Sequence, residues 1–250
     1  MPREDVLEKR VVAFLRDALA DRYDHANLRQ YDGFHALSDA QIAAVRDFGL
    51  RYIYPEWEEH CFQREAFDAL LQLLSSPMRL KPLVAVTMKS LWRFGRQLPR
   101  AIDAGKEVVN AFDATRNLEQ QIVEQLRETP GSGQDDPAQG DILRALRAIP
   151  KAHFEAFVDD MVGLMQLLAQ RDLLTTGHKV LEDIAGVIKK RSDRYTDIEI
   201  AGIDYALTVM QEGMALFDQL DDGAVAAAIN TIALVERDWY ASAVAGAPEA

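Results

Sequence analysis

Four cations, Lys89, Arg93, Arg96 and Arg100, follow one another at steps of four, three and four residues. On an α-helix those steps gather all four side chains into one narrow sector, with Val84, Met88, Leu91, Gly95 and Leu98 on the opposite side and Trp92 on the flank. A basic amphipathic helix of this kind recognises negative charge, either an anionic membrane surface or an acidic protein partner. The surrounding stretch, Arg79 to Lys106, holds seven basic side chains against one acid, Asp103, in a chain whose formal net charge is −12. A second reading stays open beside the first: the apolar side is ordinary core, and the cations pair with acids on neighbouring helices. Pro82 and Pro99 bracket the helix at about 82–98, since proline is tolerated in a first turn and disfavoured inside.

Metal chemistry has weaker support. His178 with Glu182, and Glu56 with His60, stand four residues apart, which offers two donors to a divalent ion from one helix face. Solvated helices carry such pairs routinely, and no histidine here has the glutamate three residues before it that a di-iron bundle uses. No metal is therefore expected, and His60, His178 and Glu182 are the residues that would hold one. Met161, Met165, Met210 and Met214 suit an adaptable apolar pocket as well as a packed core, so a helical carrier or enzyme with a ligand among Met161, Met210 and Met214 is the alternative function.

Nucleophiles lack their settings. Cys61 falls among apolar positions and reads as buried and inert, because a reactive thiolate needs cationic surroundings and exposure. Ser132 lies in Gly-Ser-Gly without the strand-turn-helix context of a nucleophile elbow. Gly105-Lys106 is followed by Glu107, so there is no phosphate loop. No catalytic residue is assigned, and no cofactor is expected.

The elements that would position these groups are all helices. Residues 3–23 place Leu7, Val11, Phe14, Leu15, Ala18 and Leu19 at helical spacing. Residues 24–37 have no period and read as a loop, with His25 and His35 as surface groups or caps. Ser38 with Gln41 makes a capping box that opens a helix through Ile42, Val45, Phe48 and Tyr52. Glu56 to Leu74 forms the next, then the basic helix, then a long segment from about Pro99 to Glu128 with a thin apolar stripe. That thin stripe raises a third possibility, a subunit of a homo-oligomer that buries the helix against another chain.

Residues 129–141 are rich in Gly, Pro and Asp and hold no large apolar side chain before Ile142. Such composition does not offset its own ordering entropy, and the expectation is a flexible linker between an N-terminal half, 1–128, and a C-terminal half, 142–240. In the second half, Val180 to Ile188 mark a helix closed by Lys189, Lys190 and Arg191. Thr196 and Glu199 make another capping box. Ile200, Ile203, Leu207, Met210, Met214 and Phe217 form a seam of the kind that bundles pack, and Val225 to Trp239 a last helix. Residues 241–250 are expected to be a disordered tail. The fold class is all-α, about ten helices in a multi-helix bundle of two halves, with no stretch of period two.

Totals narrow the function further. Forty acids against 28 bases repel phosphate backbones, so nucleic acid is disfavoured as a partner. The first ten residues carry mixed charge without an apolar segment, the apolar runs are too short to span a bilayer, and one cysteine makes no internal disulfide. The expected location is the cytoplasm, with peripheral attachment at the inner membrane surface if the basic helix meets lipid. Taken together, these features predict a non-enzymatic interaction or adaptor protein.

Overall fold

The computed structural model describes residues 3–76, 78, 79, 81, 88, 92, 98–128, 137–220 and 222–245. Among them every regular element is helical. They are α1 (Arg3–Arg22), α2 (His25–Leu28), α3 (Asp32–His35), α4 (Asp39–Tyr52), α5 (Trp57–Ser75), α6 (Leu98–Glu128), α7 (Gln139–Ala148), α8 (Lys151–Leu168), α9 (Arg171–Lys190), α10 (Asp197–Asp218) and α11 (Asp222–Ala245), with a 3-10 turn at Ser192–Arg194. The all-α expectation holds, and no helix among the described residues is long and apolar enough to cross a membrane.

Two compact units share the chain, and neither is continuous in sequence. Unit 1 comprises Met1–Trp57, Glu107–Gln166 and Gln219–Ala250, and unit 2 comprises Glu58–Lys106 and Leu167–Asp218. Of the expected linker, residues 129–136 lie outside the described residues. Gln139, Gly140 and Asp141 belong instead to α7, where the Asp141 carboxylate accepts the Ala138 backbone N–H at 3.2 Å and so starts the helix three residues earlier than its apolar pattern suggested. Of the expected tail, residues 246–250 lie outside the described residues, while 241–245 belong to α11, where the Ala243 carbonyl accepts from Arg147 Nε at 2.7 Å.

In unit 1 the apolar stripe of α1 is buried along its length through Leu7, Val11, Leu15 and Leu19. The Phe154 ring of α8 stacks on Tyr240 of α11 at 4.2 Å between centres, and the Tyr240 hydroxyl donates to the Ile149 carbonyl at 3.1 Å. The thin stripe of α6 is covered within its own chain from Ala111 through Leu118, Ile122 and Leu126.

Residues 24–37 are not an irregular loop. Two single-turn helices occupy them, with Asp24 capping the first by accepting from the Ala26 N–H and with Leu28, Phe34 and Leu37 buried. Arg29 ties the segment by donating Nη1 to the Phe34 carbonyl at 2.9 Å and Nη2 to Asp39 at 2.8 Å. Gly33 is required in α3, because a Cβ there would meet Thr231 Oγ1 and come within 2.6 Å of the Ala227 carbonyl of α11.

Unit 2 packs α5, α9 and α10 around Leu70, Leu73, Ala185, Ile188, Tyr195 and Ile203. Gly202 of α10 lies against the Ala66 carbonyl of α5, too close for any side chain to stand between them. Of the Ile200 to Phe217 seam, Ile203 and Phe217 are buried while Met210 and Met214 are only half-buried. Cys61, expected to be buried, is half-buried as well.

Candidate functional site

Two places in the molecule concentrate charge in an unusual setting, one in each unit. The first is the basic stretch of unit 2. Lys89, Arg93 and Arg96 lie outside the described residues, and so does the side chain of Arg100, whose backbone is in α6. Those described here are Met78, Arg79, Lys81, Met88 and Trp92. Trp92 is 91% exposed, Met78 88% and Met88 53%. Met88 was expected on the apolar, core-facing side, yet more than half of it meets solvent.

Arg79, at the start of the stretch, has internal partners. Its guanidinium forms an ion pair with Glu199 of α10, giving Nη2 to Oε2 at 2.6 Å, and Nη2 also donates to the Arg194 carbonyl at 3.1 Å. The same group lies over the Tyr195 ring at 5.6 Å. Glu199 completes the expected capping box: Oε2 accepts the Thr196 N–H at 2.8 Å, and Thr196 Oγ1 accepts the Glu199 N–H at 3.4 Å. Burial acts to raise the Glu199 carboxyl, but the hydrogen bonds from Thr196 and Arg79 outweigh it and hold the group below its ordinary value.

The second place is the interior of unit 1. Arg22, in the last turn of α1, gives Nε to Glu236 Oε1 of α11 at 2.9 Å, with both side chains over nine-tenths buried. Trp239 lies under the guanidinium at 4.5 Å from its ring centre, and Tyr23 at 5.8 Å. Burial works to lower the Arg22 pKa, and the Glu236 carboxylate more than offsets it, so arginine stays charged. Burial pushes the Tyr23 hydroxyl well above the usual tyrosine range, and Glu236 adds to the shift. Tyr54 is raised for the same first reason, with the buried Glu119 and Glu236 contributing.

Arg22, Tyr23, Tyr54, Met161, Met165 and Glu236 are among the residues lining a cavity of about 20 Å³. A space of that size admits about one water molecule and no metabolite. The lining side chains include no serine, cysteine or histidine, so the cluster offers a neutralised ion pair and two un-ionised phenols and no nucleophile.

Sequence reasoning passed over Arg22, Glu119 and Glu236, though a signal exists. Arg22 continues the Leu15 and Leu19 stripe, Glu119 falls between Thr115 and Ile122, and Glu236 falls between Ile232 and Tyr240, so each charge occupies an apolar position of its own helix.

The remaining sequence candidates are divided between the two units. Met161 lines the unit 1 cavity, while Met210 and Met214 belong to unit 2, where the Met210 methyl lies 3.3 Å from the position a Cβ on Gly177 would take. His178 Nδ1 is 3.7 Å from Glu182 Oε2. Glu56 precedes α5 rather than sharing its face with the half-buried His60, and its carboxylate pairs with Arg16 at 2.7 Å. Among the described residues no three His, Cys, Asp or Glu side chains gather closely enough to hold a metal ion. No protein-family model, curated protein or solved structure matches this chain.

Proposed function

We propose that the chain is a non-enzymatic adaptor whose basic segment docks on an anionic membrane surface. The observation that carries this reading is Trp92, which stands 91% exposed inside a stretch with six more basic than acidic side chains. Met88, four positions earlier and half exposed, shares its side of a helix. Large apolar side chains flanked by cations suit the water–lipid interface, where an indole anchors at the headgroup level and each cation adds about 1 kcal/mol near anionic lipid. Arg79 is left out of that sum because Glu199 already holds it. Lys89, Arg93, Arg96 and Arg100 are then worth roughly 4 kcal/mol, a weak and reversible attachment that salt screens within about 10 Å. An exposed indole beside a thioether and several cations suits the headgroup level of an anionic lipid surface.

Sedimentation of the full chain with phosphatidylserine vesicles tests the reading. Binding at low salt, a blue shift of tryptophan emission that Trp92→Ala abolishes, and loss of binding when the four cations become glutamine are the expected results. Failure to sediment at low salt, or sedimentation that survives the fourfold change, overturns it. Sedimentation without any Trp92 response leaves charge alone as the attachment and overturns the role of the indole as an anchor.

A further inference from the structure

Inside unit 1 the Arg22 and Glu236 pair is only half complete. One hydrogen bond joins them, Nε to Oε1, while Arg22 Nη1 and Glu236 Oε2 are buried without a hydrogen-bond partner. Such groups are costly to leave unmatched and are ordinarily satisfied by protein or by internal water. Both residues line the same cavity of about 20 Å³. A single internal water needs roughly 10–15 Å³ and two to four polar neighbours.

We propose that this cavity is a built site for one internal water, which accepts from Arg22 Nη1 and donates to Glu236 Oε2. The charges select the occupant. A cation meets the guanidinium, an anion meets the carboxylate, and the pair as a whole presents a donor on one side and an acceptor on the other, which a neutral molecule able to do both fits. Volume excludes anything much larger, so Met161 and Met165 wall a solvent molecule and not an apolar ligand. The site is independent of the membrane reading, since it uses no residue of the basic segment.

Magnetic relaxation dispersion of water on the full chain detects such a molecule through its long residence. The double variant Arg22→Met with Glu236→Leu replaces the pair by apolar side chains of similar bulk and is expected to lower the dispersion amplitude by one water with helical content unchanged. Val162→Leu keeps the pair and fills the cavity with one added carbon; it serves if the double variant does not fold, and it is expected to lose the same single water. No long-lived water in the parent protein, an unchanged amplitude in a folded variant, or electron density at the site larger than one water overturns the proposal.

Discussion

Arg22 with Glu236 and Arg79 with Glu199 are the same chemical pair built twice, each joining residues more than a hundred positions apart. In unit 1 both partners are sealed from solvent and held by one hydrogen bond, with an indole beneath the cation. In unit 2 the arginine is 37% exposed, and its carboxylate is also bound by the capping threonine of α10. The buried pair relies on its two members, on the Trp239 ring and on the Tyr23 hydroxyl to offset desolvation. In the second the carboxylate is buried as deeply, but the arginine keeps part of its hydration and the Arg194 carbonyl, and Glu199 also holds the Thr196 N–H, so losing one partner strands less charge.

Glu236→Ala strands a charged guanidinium among Trp239, Tyr23 and Tyr54, and denaturant titration should show a loss of about 3–5 kcal/mol. Gly202→Ala is expected to cost about 1–3 kcal/mol, because its methyl must displace the Ala66 carbonyl of α5. Thr196→Ala removes a helix cap and should cost about 1 kcal/mol. If Thr196→Ala or Glu199→Ala proved as damaging as Glu236→Ala, the contrast between the pairs would vanish.

Titration sharpens the comparison further. Tyr23 and Tyr54 are raised above 10, so the stability they contribute is intact below pH 10 and is lost as pH rises beyond it. Tyrosinate absorbance from these two residues should therefore appear only together with unfolding. Glu199 is lowered from 4.5, so its contribution is present above pH 4.5 and is lost as pH falls through the depressed value. Glu155 of unit 1 is lowered too, by the hydrogen bond from Arg237. A Glu199→Gln variant isolates the unit 2 share: its acid transition should be shallower than that of the parent, and the smallest of these effects.

Legibility in the sequence followed the same divide. Local devices were readable: both capping boxes, at Ser38 with Gln41 and at Thr196 with Glu199, form with the predicted partners. Features set by distant contacts were not. Leu28, Phe34 and Leu37 show no period in a segment of single turns, and only burial in the folded unit reveals why they are apolar. Arg22 and Glu236 read as ordinary surface charges until it is noticed that each interrupts its own apolar stripe, and nothing local says which opposite charge will answer.

The separation of 214 residues between Arg22 and Glu236 has a consequence during translation. At about 5–20 residues per second, the ribosome needs roughly 10–40 s to deliver the glutamate after the arginine has been made. Throughout that interval α1 cannot settle into its final surroundings without sheltering an unanswered positive charge. Completion of unit 1 is thereby deferred until α11 has left the exit tunnel, and nascent chains stalled before Glu236 should remain sensitive to protease in α1.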